Sequence, residues 1–277
     1  MAGKIRLDLY MAEKGLADTR EKAKAMILSG NVYVDGRKAE KPSITVDDGN
    51  AVTVKPPECE FVSRGGYKLK KALDVFEIDA KGITAVDIGA STGGFTDCLL
   101  KNGAAKVYAV DVGYGQLDWR LRNDARVVVR ERQNARYLKP EEFEGQIDLC
   151  VIDVSFISLK LILPVAKALV SEDGGIIALI KPQFEAGREQ VGKRGVVRDK
   201  TVHEAVLQKI VSFAEEIGLY PCGLDYSPIK GPNGNIEYIS RFIKQRPERQ
   251  VDFDIANIVD NAHNGLEKQL NSTYKLV

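Results

Sequence analysis

The most informative segment of this 277-residue sequence is residues 86–96, Val86-Asp87-Ile88-Gly89-Ala90-Ser91-Thr92-Gly93-Gly94-Phe95-Thr96. An apolar strand pattern runs here into a glycine-rich turn that opens a helix, so the backbone can approach a ligand closely beside a helix N-terminus. The spacing is GxxxGG, whereas a nicotinamide-binding turn has GxGxxG facing a pyrophosphate. The segment predicts the first βα turn of a Rossmann-like domain and disfavours a nicotinamide or flavin oxidoreductase.

Strand and helix patterns alternate from Ala72 onward. The predicted strands are Thr84–Ile88, Lys106–Val110, Val127–Val129, Leu149–Val154, Gly175–Ile180, Gly223–Tyr226 and Ile236–Ile243. Such alternation is typical of βαβ units. We therefore predict an α/β fold with a doubly wound, mainly parallel seven-stranded sheet in residues 61–250, followed by a polar helix or tail in residues 251–277.

Carboxylates flank the glycine turn. Asp87 precedes Gly89 and is predicted to reach an ammonium group, and Asp111 ends the next strand, where a carboxylate can accept both hydroxyls of an adenosine ribose. This chemistry suits S-adenosylmethionine, which carries an amine and a sulfonium and no phosphate. We predict this cofactor, bound by Asp87, Gly89, Ala90, Ser91, Thr92, Gly93, Gly94, Phe95, Asp111, Val112, Asn134 and Asp153.

Two lysines and two further carboxylates are predicted near the same edge of the sheet. Asp153 and Lys181 each end a strand, and the carboxyl ends of parallel strands are where such folds present their ligands. Glu237 follows the turn-rich segment Gly231–Asn235, and Lys68 lies on the helix before the first strand. A single lysine at a strand end is usually a solvated charge, but four such residues at one edge indicate an active site.

The first sixty residues form a separate pattern of two helices followed by short strands. Asp18 and Glu21 are predicted as a capping box, Val32–Val34 and Arg37–Ala39 as one hairpin, and Ile44–Val46 and Val52–Val54 as a second hairpin. The residues Arg6-Leu7-Asp8, Thr19-Arg20-xx-Ala23, Ile27-xx-Gly30-x-Val32 and Val34-Asp35-Gly36 resemble the alpha-L RNA-binding domain named for ribosomal small-subunit protein S-four. The resemblance implies a small α+β RNA-binding domain in residues 1–60, with Arg6, Arg20, Lys22 and Lys24 at the RNA backbone. Its ten basic and ten acidic residues balance.

The longer part of the chain closely resembles the TlyA family, also called hemolysin A, and more broadly the FtsJ-like methyltransferases. The matching segments are Ser63–Leu69, Val86–Thr96, Val110–Leu117, Asp153–Leu159, Lys181–Glu185, Val191–Asp199 and Gly231–Glu237. The resemblance implies 2′-O-methylation of a ribose, with cytidine as the nucleoside, in ribosomal RNA of the small subunit, the large subunit or both. It also implies a catalytic tetrad at Lys68, Asp153, Lys181 and Glu237. The short segment before Arg6 resembles the longer members, which act on both subunits.

The tetrad suits removal of a proton from a 2′-hydroxyl. Lysine accepts a proton only when neutral, so we predict Lys181 as the base, with Lys68 as the cationic neighbour that also positions the ribose. Asp153 and Glu237 would orient the two lysines. In-line methyl transfer from a sulfonium neutralises charge, so positioning supplies much of the acceleration, and no metal is expected.

Basic residues are clustered although the net charge is only +1. Two basic stretches, Arg120–Lys139 and Arg188–Lys200, can hold phosphates by releasing counterions. We predict RNA contacts in this part of the chain at Arg64, Lys70, Lys71, Arg136, Lys193 and Arg194. Arg136 also falls on the side of the fold where the adenine is expected.

Composition narrows the remaining classes of protein. The four cysteines, Cys59, Cys98, Cys150 and Cys222, are far apart and the chain has two histidines, so isolated thiols are expected and a zinc site is not. No apolar run approaches the ~20 residues of a membrane helix, and no secretory signal is recognised, so a cytoplasmic protein is expected. Two alternatives stay open: a non-catalytic RNA-binding or ribosome assembly factor, and a hemolysin that acts on membranes.

Overall fold

The computed structural model describes residues 4–28, 30–54, 60–249 and 251–274. Contacts between Cα atoms divide the chain into two compact units, Met1–Glu60 with Gln269–Val277, and Phe61–Lys268. In the described part of the chain, no helix is long and apolar enough to cross a membrane. Cys98 and Cys150 are buried and Cys222 is half-buried, whereas Cys59 lies outside the described residues.

The N-terminal unit has two helices that pack over short strands. Its elements are β1 (Ile5–Arg6), α1 (Leu7–Glu13), α2 (Arg20–Leu28), β2 (Val32–Val34), β3 (Arg37–Lys38), β4 (Thr45–Val46) and β5 (Val52–Val54). Leu7, Met11 and Ile27 are fully buried in its core. This arrangement confirms the small α+β domain predicted from the sequence.

Two local predictions for this unit are wrong. The predicted second hairpin does not form, because β4 pairs with β1 and β5 pairs with β2 in a β3-β2-β5 sheet. The predicted capping box does not form either. The Thr19 hydroxyl accepts a hydrogen bond from the Lys22 backbone amide at the start of α2, while the Asp18 carboxylate pairs with the Lys22 ammonium group.

The C-terminal unit alternates strands and helices along its length. Its elements are α3 (Gly65–Val75), β6 (Thr84–Ile88), α4 (Gly94–Lys101), β7 (Lys106–Val110), α5 (Trp119–Arg122), β8 (Val127–Arg130), β9 (Ile147–Ile152), α6 (Leu163–Leu169), β10 (Val170–Ile180), α7 (Pro182–Glu185), α8 (Lys200–Glu216), β11 (Tyr220–Tyr226), β12 (Tyr238–Ile243) and the part of α9 (Ile255–Tyr274) up to Lys268. Short 3₁₀ helices cover Ala135–Tyr137, Pro140–Glu142, Leu159–Leu161, Arg188–Gln190 and Pro232–Gly234.

Seven strands form one sheet in the order β11-β12-β10-β9-β6-β7-β8. The pairs from β10 to β8 are parallel, and β12 runs antiparallel to both of its neighbours. The predicted doubly wound, mainly parallel seven-stranded sheet is therefore confirmed. The strand order reverses between β6 and β9, and ligands of such sheets bind at the carboxyl ends of the strands at this switch point.

Helices cover both faces of this sheet. Alternate residues of each strand point to opposite faces, so each face has its own buried cluster. Val86 and Ile88 belong to one buried cluster and Ala85 belongs to the other. The C-terminal segment, predicted as a polar helix or tail, is the helix α9. It packs Val259, Ala262 and Leu266 into the first of these clusters.

Candidate active site

The carboxyl ends of β6 and β9 meet at the switch point of the sheet. The Asp153 amide donates a hydrogen bond to the Ile88 carbonyl, with N and O 3.0 Å apart. Gly89 has a φ of 88°, and a Cβ atom there would lie 2.6 Å from the Asp153 carbonyl oxygen. Only glycine therefore allows the two strand ends to approach this closely.

The four residues of the predicted tetrad come together at this edge. Lys181 Nζ lies 2.5 Å from Asp153 Oδ1, and Lys68 Nζ lies 3.9 Å from Asp153 Oδ2. Lys68 Nζ also lies 2.5 Å from Glu237 Oε2. Both lysines and Glu237 are buried, and the Asp153 side chain is 21% exposed. The cluster carries two positive and two negative charges, so each buried charge has an opposite charge beside it.

Sheet register explains why residues so far apart in sequence are neighbours here. β12 runs antiparallel to β10 with Tyr238 opposite Ile180, so Glu237, just before β12, and Lys181, just after β10, lie at the same edge of the sheet. Gly231 makes room for Glu237, because a Cβ atom at Gly231 would overlap the Glu237 carboxylate. Lys68 reaches the cluster from α3, on one face of the sheet.

Two further polar residues, Ser155 and Gln183, contact this cluster and are not among the residues predicted from the sequence. Lys181 Nζ donates to Ser155 Oγ at 3.2 Å, and Gln183 Nε2 donates to Glu237 Oε1 at 3.4 Å. Each lies two positions after a strand-end residue of the tetrad, Asp153 or Lys181. That spacing was the available signal, since the first turn after a parallel strand lines the same edge.

Two adjoining cavities meet at Asp153. The catalytic cavity, of about 520 Å³, is lined by all four tetrad residues and by Arg64. The second cavity, of about 760 Å³, extends along the ends of β7 and β8. Both are lined by Gly89, Ser91, Asp153, Ser155 and Phe156, so a ligand in the second cavity can present one end to the tetrad.

The second cavity combines a carboxylate with apolar walls. Asp111 Oδ2 accepts a hydrogen bond from the Ser91 amide at 2.8 Å, and Oδ1 accepts one from the Gly113 amide at 2.6 Å. Its apolar walls include Val110, Val112, Ala135, Ile157, Leu161 and Ile162. A fixed carboxylate beside an apolar slot matches an adenosine, whose ribose hydroxyls donate hydrogen bonds and whose base is flat. In the described residues, no cluster of His, Cys, Asp or Glu side chains is arranged to hold a metal ion.

The predicted cofactor residues divide between these walls. Ala90, Thr92, Gly94 and Phe95 line the catalytic cavity, and Asp111, Val112 and Asn134 line the second. Gly93 lines neither, but its left-handed backbone (φ 94°) begins α4.

Asp87 also lines neither cavity. Its side chain is fully buried, and Oδ2 accepts hydrogen bonds from the Thr96 amide at 3.0 Å and the Thr96 hydroxyl at 2.7 Å. Oδ1 is buried and has no hydrogen-bond partner in the described residues. Burial raises the pKa of Asp87 to about 7, despite these two hydrogen bonds. The structure therefore places Asp87 behind the glycine turn, as a cap of α4.

The predicted RNA contacts of the C-terminal unit have different surroundings. Arg64 and Arg136 are exposed and line the catalytic and the second cavity, respectively. Lys71 instead donates to the Tyr226 carbonyl at 2.6 Å and pairs with Asp225 at 2.9 Å. Lys70 pairs with Asp74. Lys193 and Arg194 are exposed on the turn between Gly192 and Arg198.

Three of the four residues predicted to contact RNA in the N-terminal unit form ion pairs within that unit. Arg6 and Arg20 both pair with the buried carboxylate of Asp8, at 3.0 and 3.1 Å. Burial acts to raise the pKa of Asp8, but the hydrogen bonds from the two guanidinium groups outweigh it and hold the pKa below its usual value. Lys22 pairs with Asp18. Lys24 is half-buried.

Comparison with known proteins matches both units. The FtsJ-like methyltransferase family matches residues 61–244, and the S4 domain matches residues 5–52. A candidate rRNA methyltransferase of Bacillus subtilis (strain 168), YqxC, is 48% identical, and the alignment covers 96% of each chain. The 16S/23S rRNA (cytidine-2′-O)-methyltransferase TlyA of Mycobacterium tuberculosis (strain CDC 1551 / Oshkosh) is 44% identical, with 97% of this chain and 99% of that one covered.

A solved structure of a candidate hemolysin from Streptococcus thermophilus has the same architecture. It is 45% identical with a TM-score of 0.78, and the comparison covers 98% of this chain and 100% of that chain. These matches confirm the resemblance on which the sequence prediction rests, since they extend over nearly the whole chain. The chain belongs to the FtsJ-like methyltransferase family, within the TlyA group that joins this domain to an S4 domain.

Proposed function

We propose that this protein transfers a methyl group from S-adenosylmethionine to the 2′-hydroxyl of a ribose, that of cytidine, in ribosomal RNA. The observation that carries the proposal is the Lys-Asp-Lys-Glu cluster at the junction of the two cavities. One cavity suits an adenosine, the other is open to a second substrate, and Asp153 lies in the wall of both.

S-adenosylmethionine fits the second cavity by its donor chemistry. Asp111 would accept from the ribose hydroxyls, and the apolar residues of this cavity would enclose the adenine. The backbone at Gly89 and Ser91 would lie along the ligand, since both residues line both cavities. Asn134 would contact the ligand on the adenine side. When bound, the cofactor supplies an electrophilic methyl group on a positively charged sulfur.

Lys181 is the proposed base because it ends β10 inside the catalytic cavity. In its charged form it is held by Asp153 and donates to Ser155 Oγ. A neutral Lys181 amine has a lone pair for the proton of the ribose hydroxyl, and Asp153 then stabilises the ammonium group that forms. Asp153 therefore both orients the amine and favours the product of proton transfer.

Lys68 is the proposed positioning cation for the ribose. It is held between Glu237 and Asp153, and Gln183 donates to the second Glu237 oxygen. This arrangement keeps one positive charge fixed in the cavity wall while the charge of Lys181 changes. A fixed ammonium group can donate to the ribose oxygen as its proton leaves.

Ribosomal RNA is the proposed partner, which places the protein in the cytoplasm. TlyA of M. tuberculosis is named for both 16S and 23S rRNA, so we propose that one or both subunits are substrates here. The S4-domain unit would supply RNA affinity beyond the active site. Of its four predicted contact residues, Arg6, Arg20 and Lys22 form ion pairs, whereas Lys24 forms none within the described part of the chain. We therefore propose that Lys24 is the strongest RNA contact of the four.

The proposal is tested by methyl transfer with the full-length protein. Ribosomal subunits from a strain lacking the gene would be incubated with isotopically labelled S-adenosylmethionine, and 2′-O-methyl positions mapped on the recovered rRNA. We expect label at a cytidine ribose with the wild type and none with Lys181→Ala. Calorimetry should show that both proteins bind S-adenosylmethionine.

Other outcomes would overturn the proposal. RNA binding without transfer by the wild type would favour a non-catalytic assembly factor. Lysis of red blood cells by purified protein, unchanged in Lys181→Ala, would favour a membrane activity.

A further inference from the structure

The two basic stretches of the C-terminal unit differ in how their charges are balanced. In the first stretch, four of the seven basic residues are ion-paired with carboxylates: Arg120 with Asp118, Arg122 with Glu131, Arg126 with Asp124 and Arg130 with Glu142. The other three, Arg132, Arg136 and Lys139, are exposed. In the second stretch, Lys200 pairs with Asp260 at 2.6 Å. Lys193, Arg194 and Arg198 are exposed and form no ion pair within the described part of the chain. Both stretches therefore carry exposed positive charge, and the second stretch contains Gly195, which lines the catalytic cavity.

The three exposed basic residues of the second stretch surround a cleft of about 470 Å³, hereafter the basic cleft. The turn that carries them is closed by hydrogen bonds from the Gly192 amide to the Val196 carbonyl and from the Gly195 amide to the Gly192 carbonyl, both at 3.1 Å. Arg194 and Gly195 both have a φ of 72°. A long side chain in this left-handed region is held there at an energetic cost, so the surrounding contacts must impose the conformation.

The contacts that hold this conformation come from Asn233 and Asn235, in the segment just before Glu237. Asn235 is 3% exposed; its Nδ2 donates to the Gly195 carbonyl at 2.9 Å, and its Oδ1 accepts from the Val197 amide at 3.3 Å. Asn233 Nδ2 donates to the Arg194 carbonyl at 3.2 Å. The basic turn is therefore fixed to the same short segment that places Glu237 beside Lys68.

The basic cleft also adjoins the catalytic cavity. Gly195 lines the catalytic cavity together with Asn233 and Asn235, and its neighbours Arg194 and Val196 line the basic cleft. In a polynucleotide each ribose lies directly between two phosphates. A chain that places one ribose at the tetrad must therefore carry phosphates past the rim of that cavity.

We propose that Lys193, Arg194 and Arg198 bind the phosphate backbone of the RNA strand next to the methylated ribose, with Asn235 as the positioning residue. The inference rests on the proposed function, since it takes RNA as the substrate. Arginine forks match phosphate oxygens, and such contacts set the register of a nucleic acid without reading its sequence. Asn235 couples this register to the tetrad through Gly195 and Val197.

The test compares two variants of the full-length protein that lose charge at different places. Lys193→Gln/Arg194→Gln/Arg198→Gln removes the charges of the basic cleft, and Arg120→Gln/Arg126→Gln removes paired arginines as a matched control. Methyl transfer to ribosomal subunits is measured at several KCl concentrations. For the cleft variant we expect a KM for RNA about 10–100-fold higher at 150 mM KCl and a shallower salt dependence of kcat/KM, by about 2 in the log–log slope. Its kcat and its Kd for S-adenosylmethionine should stay within about 3-fold, as should the KM of the control.

Asn235 is tested by a double-mutant cycle with the cleft variant. Asn235→Ala should raise the KM for RNA, and its effect should largely disappear when the cleft charges are already absent. Full additivity, or an unchanged KM and salt slope in the cleft variant, would overturn the inference. Failure of the wild type to methylate rRNA would instead overturn the proposed function. In that case binding of a labelled RNA oligonucleotide by wild type and cleft variant still tests the basic cleft, and equal affinity at every salt concentration would reject it.

Discussion

Lys181 Nζ lies 2.5 Å from Asp153 Oδ1, which joins the ends of two adjacent parallel strands by one charge pair. The pair lies where the wall of the second cavity continues into the catalytic cavity. A change in the charge of Lys181 therefore alters the electrostatic interaction with Asp153, whose carboxylate lines both cavities. Under the proposed function, this pair would link proton removal from the RNA to the place where the cofactor would lie.

Lys181→Arg separates the role of a base from that of a positive charge. Arginine can keep the ion pair with Asp153 but stays protonated, so it cannot accept the hydroxyl proton. We expect methyl transfer to fall at least about 100-fold, in the range attributed to general base catalysis. Binding of S-adenosylmethionine, measured by calorimetry, should change less than about 3-fold. Retention of more than a tenth of the activity would show that Lys181 acts by charge alone.

Gly231→Ala tests the close approach of the Gly231 backbone to the Glu237 carboxylate. The added methyl group would overlap the Glu237 carboxylate, which is buried and pairs with Lys68. We expect kcat to fall by about 10-fold or more, because small displacements of catalytic groups have large effects on rate. Gly175→Ala is the matched control, since its methyl group would make an ordinary contact 3.7 Å from Leu149. Equal rates for the two variants in single-turnover transfer would contradict this account.

We predict that Glu185 holds the loop of residues 153–158 in place, part of which lines both cavities. It is 5% exposed, and its oxygens accept from the Ser158 hydroxyl at 2.6 Å and the Leu159 amide at 2.7 Å. Glu185→Ala leaves these donors unpaired, so we expect stability to fall by about 1–3 kcal/mol and affinity for S-adenosylmethionine to fall about 10-fold.

Glu185→Gln provides the conservative comparison. Its amide can accept from Leu159 and donate to the Ser158 hydroxyl, so affinity should stay within about 3-fold of the wild type. Glu141→Ala, at an exposed glutamate, controls for loss of a carboxylate. The same loss of affinity in all three variants would rule out a role for these hydrogen bonds.

Asp87 predicts a particular dependence of stability on pH. Burial raises its pKa to about 7 in the folded protein, above the ordinary value of 3.8. The folded state therefore holds the proton more tightly than the unfolded state, and stability is lost as pH rises toward 7. Relative to Asp87→Asn, the wild type should lose up to about 1.4 kcal/mol of unfolding free energy per pH unit between pH 5 and 7. Urea unfolding at pH 5, 6, 7 and 8 measures this, and a constant difference across these values would refute it.

Much of the C-terminal unit follows from local pattern. The glycine turn at 86–96, the strand ends at Asp111, Asp153 and Lys181, and the mainly parallel sheet are all predictable, because apolar periodicity identifies strands and parallel strands share one ligand-binding edge. Individual bounds are less predictable: β9 ends at Ile152 and β12 begins at Tyr238, both inside the predicted ranges. Hydrogen bonding to neighbouring strands sets these limits.

Partnerships between distant residues were decided by the tertiary structure alone. The packing of α3 against the sheet brings Lys68 to Glu237 across 169 positions. Strand pairing joins β4 to β1 instead of β5, and the placement of α4 lets Asp87 point inward to cap it. Helix packing in the N-terminal unit lets Arg6 and Arg20 both hold Asp8, whereas Lys193 and Arg194 remain exposed on a turn. The amino-acid sequence by itself determined which chemical groups stand at the ends of which strands, because that depends on neighbours along the chain. Which of those groups meet depends on the packing of whole elements, and only the folded chain determines it.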